Sequence, residues 1–114
     1  MITIYHNPRC SKSRQTLKLI EDKGIEPDIV LYLETPPDKA TLSALLTKLD
    51  IAPRQLLRKS EAAYKDNQLK NPELNDAQLI DFMVEYPKLI ERPIVVNGDK
   101  AALGRPPEAV LDIL

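Results

Sequence analysis

The chain has 114 residues, 43% of them apolar and 29% charged, which suffices for one self-supporting domain and excludes a disordered, collagen-like or disulfide-rich polypeptide. Its formal net charge of −1 provides no overall basic surface for a nucleic acid. No apolar run approaches the ~20 residues that span a bilayer, and no secretory leader is recognisable. We therefore expect a cytoplasmic protein without a nucleic-acid or membrane partner.

The chain contains one cysteine, Cys10, and one histidine, His6. These are too few for a four-ligand zinc site or an iron-sulfur cluster. The three glycines are too scattered for a dinucleotide fingerprint or a phosphate-binding loop. The sequence therefore predicts neither a metal centre nor a bound cofactor.

Two strands and a helix are predicted in the first third of the chain. Residues 2–5 alternate apolar and polar side chains, which indicates a short strand. Residues 11–23 follow as a helix that ends at Gly24, and residues 28–33 form a second strand. The order strand, helix, strand predicts a right-handed crossover onto a parallel partner.

The middle of the chain is predicted to be helical. One helix begins at residues 35–38, where early prolines and a spacing similar to a capping box occur. Residues 53–60 indicate a short helical piece, and Asn75 with Gln78 caps a further helix. The side chains expected to face inward are Leu42, Leu45, Leu46 and Leu49 in the first helix and Leu79, Phe82, Met83 and Tyr86 in the last.

The last third is predicted to form a hairpin and a terminal helix. Residues 94–96 and 101–103 flank Asn97 and Gly98, a pair suited to positive φ in a tight turn. The two prolines at positions 106 and 107 can open the last helix. The fold class is therefore α/β, with a small mixed parallel and antiparallel sheet flanked by helices.

Positive charge is concentrated around Cys10. The first twenty residues carry the basic side chains of Arg9, Lys12, Arg14 and Lys18 and no carboxylate, so the remainder has 12 basic against 17 acidic residues. Cys10 lies between the end of a strand and the start of a helix, where free N–H groups and the helix dipole stabilise an anion such as a thiolate. A chance cluster of charge on a solvated loop, or an inert buried thiol, are the alternatives.

Two familiar cysteine motifs are missing from this segment. A cysteine phosphatase has an arginine six residues after its nucleophile, where this chain has Thr16. A dithiol redox motif has its second cysteine at the position of Ser13. An oxidised Cys10 cannot form an internal disulfide, so any redox cycle must use an external thiol.

Four sequence blocks resemble the glutaredoxin-dependent arsenate reductases. They are Tyr-His-Asn-Pro-Arg-Cys-Ser-Lys-Ser-Arg at 5–14, Leu-Leu-Arg-Lys at 56–59, Glu-Arg-Pro-Ile-Val-Val at 91–96 and Gly-Arg-Pro-Pro-Glu at 104–108. The resemblance extends over almost the whole chain. It implies a thioredoxin-like fold in a single domain, 1–114, with a helical insertion at about 38–88.

The resemblance also implies site residues. Cys10 is the nucleophile, and His6 is a neighbour that favours its thiolate. The resemblance leaves the peptide bond before Pro93 open: it is commonly cis at the matching place in thioredoxin-like folds, whereas most X-Pro bonds are trans. The remaining residues carried over are Arg58, Arg92 and Arg105 as cations around the substrate oxyanion, and Ser13 and Arg14 as residues that shape the anion loop.

The implied reaction is reduction of arsenate to arsenite through a Cys10 adduct, with glutathione as co-substrate and glutaredoxin as partner. Ser11 and Lys12 depart from the Gly-Thr that other members carry after the cysteine, which leaves the substrate preference open. Two other functions stay open. One is a redox-responsive regulator that binds RNA polymerase, although Ser13 removes its usual second cysteine. The other is a glutathione-linked thiol oxidoreductase that acts on another substrate.

Overall fold

The computed structural model describes residues 1–114 and contains four strands, five α-helices and two 3₁₀ helices. The strands are β1 (Ile2–His6), β2 (Asp28–Leu31), β3 (Ile94–Asn97) and β4 (Lys100–Leu103). The α-helices are α1 (Ser11–Asp22), α2 (Lys39–Leu49), α3 (Pro53–Leu56), α4 (Ala62–Asp66) and α5 (Asp76–Glu85), and the 3₁₀ helices span Pro87–Leu89 and Pro107–Ile113. No helix combines the length and the apolar character needed to cross a membrane.

The chain divides into two compact units. The sheet unit comprises Met1–Thr35 and Arg92–Leu114, and the helical unit comprises Pro36–Glu91. All four strands belong to the sheet unit, and α2 to α5 belong to the helical unit. That the whole chain acts as a single domain, with an insertion at about 38–88, stays a prediction.

The sheet has the strand order β2-β1-β3-β4. Strand β1 pairs in parallel with β2 and antiparallel with β3, and β3 pairs antiparallel with β4. The predicted mixed sheet, the parallel pairing of β1 with β2 and the hairpin are confirmed, whereas the right hand of the crossover stays a prediction. One core cluster joins the sheet to the elements packed on it; its buried members are Ile2, Ile4, Ile20, Val95 and Val110.

Strand β2 is shorter than predicted, because it ends at Leu31 rather than at residue 33. The N–H groups of Glu34 and Thr35 both donate to the Leu31 carbonyl at 2.9 Å, which turns the chain away from the sheet. The turn buries Tyr32, of which 2% is exposed. Tyr32, which the sequence pattern assigns to a strand, is therefore a turn residue whose aromatic side chain packs into the core.

The predicted terminal helix is present and is a 3₁₀ helix. The N–H of Ala109 donates to the Pro106 carbonyl three residues earlier, and the side chain of Asn97 donates to the Ile113 carbonyl at 2.6 Å. The Asn97 side chain fixes the far end of this short segment, and the buried Val110 fixes its middle. Such a short segment can form its backbone hydrogen bonds between residues three apart, as in a 3₁₀ helix.

In the helical unit, α2 starts later than predicted. Its N-cap is Asp38, whose carboxylate accepts the Thr41 N–H at 2.7 Å, and Pro36 and Pro37 precede the helix. A proline disfavours the α conformation of the residue that precedes it. The first turn of the helix therefore forms only after the second proline. Of the predicted inward positions, Leu42, Leu45 and Leu46 are buried and Leu49 is half-buried.

The other helices of this unit agree in part with the prediction. Asn75 and Gln78 form the predicted capping box on α5, with bonds of 2.8 and 2.9 Å. The predicted piece at 53–60 is shorter, because Leu57 leaves α3 to pair with Ile90. Helix α4 was not predicted. Along α5, Leu79, Ile80 and Met83 are buried, whereas Phe82 and the C-cap Tyr86 are half-buried.

Candidate active site

Cys10 is the N-cap residue of α1 and immediately follows the turn that leaves β1. Its N–H donates to the Asn7 carbonyl at 3.0 Å, and its carbonyl accepts the Arg14 N–H at the same distance. The first bond closes the turn and the second begins the helix. These bonds place Cys10, 8% of which is exposed, where the first N–H groups of α1 have no partner within the helix.

The surroundings of Cys10 favour its ionised form. Burial raises the pKa of the thiol, but the Ser13 N–H, the Arg92 guanidinium, the Lys12 N–H and the Arg105 guanidinium together outweigh burial and lower the pKa below its ordinary value. All of these groups belong to the sheet unit. Because the thiolate is the nucleophilic form of cysteine, a lowered pKa favours reactivity of the sulfur.

Ser13 connects the end of β1 to the start of α1. It is fully buried, and its Oγ accepts the Asn7 N–H at 3.0 Å and lies 2.6 Å from Nδ1 of His6. Burial, followed by the charge of Arg14, lowers the pKa of His6, against the opposing effect of Glu21. We therefore assign a neutral ring that accepts the Ser13 hydroxyl proton at Nδ1.

A neutral His6 carries no positive charge that could stabilise a thiolate. The structure gives the imidazole a hydrogen bond to Ser13, and the role of His6 in favouring the thiolate stays a prediction. Arg14 donates from Nη1 to the Pro8 carbonyl at 2.9 Å, which fastens the loop before Cys10. Contact of Ser13 or Arg14 with an oxyanion also stays a prediction.

Arg92 and Arg105 lie in two segments that the backbone holds together. The Gly104 N–H donates to the Pro93 carbonyl at 2.9 Å, and Nη1 of Arg105 approaches the Arg92 carbonyl at 3.4 Å. The Arg92–Pro93 peptide bond, which the sequence left open, is cis, and so is the bond after Arg105. Two of the three predicted arginines thus act on Cys10 electrostatically.

Gly104 is a further residue of this site that the sequence reasoning missed. A Cβ atom built on Gly104 would collide with the hydroxyl of Thr16 on α1 and would lie 2.7 Å from Cγ of Pro93. The absence of a side chain therefore lets the segment carrying Arg105 pack directly on α1. The only signal in the sequence was a glycine directly before an Arg-Pro pair.

Arg58 belongs to the helical unit, where its guanidinium has acidic neighbours. Its Nη1 lies 3.3 Å from Glu61, and its Nε lies 3.9 Å from Glu91. Nη1 is also 3.5 Å from the Lys88 carbonyl. The guanidinium therefore contacts both glutamates and a backbone carbonyl, and its predicted contact with an oxyanion stays a prediction.

The sheet unit contains a cavity beside the loop that leads to Cys10. Its volume is about 310 Å³. No group of three or more histidine, cysteine, aspartate or glutamate side chains in the protein could hold a metal ion. The residues lining the cavity are His6, Asn7, Pro8, Arg9, Leu31, Leu33 and Glu34.

The sheet order, the cysteine at the start of α1 and the cis proline before β3 define a thioredoxin-like protein with a single cysteine. The model of the ArsC family matches residues 5–113, and the chain belongs to that family. The resemblance seen in the four sequence blocks is confirmed at this level.

Three comparisons show how similar the chain is to other proteins in sequence and in structure. The uncharacterized protein YfgD of Escherichia coli strain K12 is 54% identical over 114 residues, which cover 99% of this chain and 96% of the relative. An arsenate reductase of Haemophilus influenzae is 51% identical, with 99% and 98% covered. The solved structure of an arsenate reductase from Vibrio cholerae is 49% identical, with a TM-score of 0.97 and 99% and 97% covered.

Proposed function

We propose that this protein reduces arsenate to arsenite, with the Cys10 thiolate as the nucleophile. The observation that carries the proposal is the lowered pKa of a lone thiol at the start of α1, produced in part by Arg92 and Arg105. Two ArsC relatives of about half-identical sequence that carry the name arsenate reductase support the choice of substrate.

The first step joins the sulfur to arsenic. Arg92 and Arg105, with Arg58 added by resemblance, bind the arsenate oxygens, since guanidinium groups stay charged and donate in pairs to oxyanions. Neutralising the anion lets the Cys10 thiolate approach it. The sulfur–arsenic bond forms, and one arsenate oxygen takes up protons and leaves as water.

The second step needs a thiol from outside the chain, because Cys10 is its only cysteine. The thiolate of glutathione attacks the Cys10 sulfur and forms a disulfide with it. The sulfur–arsenic bond breaks and its electron pair stays on arsenic, which is thereby reduced from the pentavalent to the trivalent state and leaves as arsenite. Glutaredoxin then removes glutathione from Cys10 by thiol-disulfide exchange.

The test is arsenite release from arsenate in the presence of glutathione and glutaredoxin, for the native protein and for Cys10→Ala. We expect release from the native protein only. Without glutaredoxin, a single turnover should leave glutathione on Cys10, detectable by mass spectrometry of the intact protein. A native protein that is inactive under conditions that support a known arsenate reductase would refute the proposal.

A further inference from the structure

The cavity beside the Cys10 loop has walls of different chemistry. One wall is the loop that leads to Cys10, including Pro8 and Arg9; the other is the chain leaving β2, including Leu31, Leu33 and Glu34. The lining therefore combines one cation, Arg9, and one anion, Glu34, with the apolar side chains of Leu31 and Leu33. This arrangement suits a small molecule with charges of both signs better than a metal ion or a simple oxyanion.

The size and the position of the cavity limit the kind of molecule that can bind in it. A volume of about 310 Å³ lies at the lower end of the range of roughly 300 to 1,000 Å³ usual for small-molecule sites, which is enough for a short peptide. Its loop wall is part of the turn in which the Asn7 carbonyl accepts the Cys10 N–H. A molecule in the cavity therefore lies against the turn that positions the nucleophile.

Apolar side chains remain exposed at this edge of the sheet. Leu33 is 39% exposed and lines the cavity, whereas Ile29, on β2, is 48% exposed and does not line it. A large apolar side chain in a cavity wall gains stability when a ligand covers it. Leu33 can therefore be substituted to test the cavity, and Ile29 offers a matched control outside it.

We propose that this cavity binds glutathione as the second thiol of the reaction, an inference that rests on the proposed function. Glu34 faces the ammonium group of the tripeptide, Arg9 faces one of its carboxylates, and Leu31 and Leu33 cover its backbone. Simple uncharged thiols such as 2-mercaptoethanol lack both charges and gain none of these contacts. Glu34, Arg9 and Leu33 then determine the specificity for the reductant.

Binding is tested without any turnover, by titrating the native protein with S-methylglutathione, which cannot form a disulfide, and following backbone amide signals by NMR. We expect shifts in the loop at residues 6–9 and in residues 31–34. Leu33→Trp, which fills the cavity, should weaken binding by at least about tenfold, and Ile29→Trp should leave it unchanged. Equal binding to both variants, or no binding to the native protein, overturns the proposal.

Steady-state kinetics provide a second readout. Glu34→Gln should raise the KM for glutathione by about two- to fivefold, the size of one exposed ion pair, and leave the KM for arsenate unchanged. Glu26→Gln, an exposed control away from the cavity, should change neither. An unchanged KM for glutathione in both Glu34→Gln and Leu33→Trp overturns the proposal.

The two proposals fail in different ways. If no arsenite forms but S-methylglutathione binds and Leu33→Trp loses it, the cavity is a glutathione site and only the choice of arsenate is wrong. If arsenite forms normally and the cavity variants behave as the native protein does, the proposed function stands and the glutathione site lies elsewhere.

Discussion

Arginines serve different purposes in the two units. In the sheet unit, Arg92 and Arg105 lower the pKa of Cys10. In the helical unit, Arg54 donates to the carbonyls of Leu69 and Asn71 at 2.8 and 2.9 Å, and Arg58 lies within 4 Å of two glutamates, at 3.3 and 3.9 Å. The first pair stabilises the ionised form of Cys10, and the second pair holds chain segments in place. Residue type alone therefore does not identify a site; the groups around the charge do.

The largest effect is expected from the packing that supports the sheet-unit arginines. Gly104→Ala places a methyl group against Thr16 and Pro93, so it should lower the free energy of unfolding by roughly 2 to 3 kcal/mol. It should also slow alkylation of Cys10, because Arg105 is displaced. Urea denaturation and the rate of reaction with iodoacetamide measure the two effects.

Gly24→Ala is the matched control for this substitution. Gly24 has open space around its α-carbon but a φ of +77°. An alanine there should lower the free energy of unfolding by about 1 kcal/mol, because only its left-handed backbone conformation is unfavourable. It should leave Cys10 alkylation unchanged. Equal losses of stability in the two variants would contradict the steric role of Gly104.

The second effect concerns the helical unit. Arg54→Gln removes charged hydrogen bonds to the carbonyls of Leu69 and Asn71, and should lower the free energy of unfolding by roughly 1 to 2 kcal/mol. Cys10 alkylation at pH 7 should keep its native rate. Lys59→Gln, at an exposed residue, is the control for loss of charge. A slowed alkylation in Arg54→Gln would remove the distinction between the two units.

Much of the fold follows from local sequence patterns. Strand β1, helix α1 and the hairpin at Asn97 and Gly98 are determined by alternation, helix termini and a turn pair, and each was predicted to within one or two residues. The errors occur where a local pattern competes with a contact elsewhere. Tyr32 has the composition of a strand residue, but its burial is achieved in a turn.

The candidate site was predictable to a smaller extent. The position of Cys10 at the start of α1 followed from the order of elements, and the importance of Arg92 and Arg105 followed from resemblance. The bond between His6 and Ser13 and the packing of Gly104 on Thr16 did not. Both depend on the directions of side chains, or on atoms far apart in the chain, which residue patterns do not specify.

The third effect separates the three arginines that the sequence grouped together. Arg92→Gln and Arg105→Gln each remove a charge that lowers the pKa of Cys10, so the pKa should rise and alkylation at pH 7 should slow by a factor of about two to ten. Arg58→Gln should leave the pH profile of alkylation unchanged and raise the KM for arsenate. Equal slowing in all three variants would show that Arg58 also acts on the sulfur.

The smallest effect is a pH dependence that belongs to the sheet unit alone, because His6 is the only histidine. Its pKa is lowered by burial and Arg14, so below the unfolded value of about 6.5 the unfolded chain binds a proton that the native chain does not. The stabilisation from neutral His6 is therefore complete above that pH and is lost as the pH falls.

This dependence is measured as the difference in unfolding free energy between the native protein and His6→Gln from pH 7.5 to 5. We expect the native protein to lose stability relative to the variant on acidification, because the lowered pKa of His6 means that the unfolded chain binds the proton first. In the helical unit the Thr41 N–H lowers the pKa of Asp38, whose stabilisation is lost only below the carboxyl value of about 3.9. His6 and Asp38 therefore affect stability in separate pH windows. If the difference stays flat down to pH 5, His6 is protonated as readily in the folded protein as in the unfolded chain.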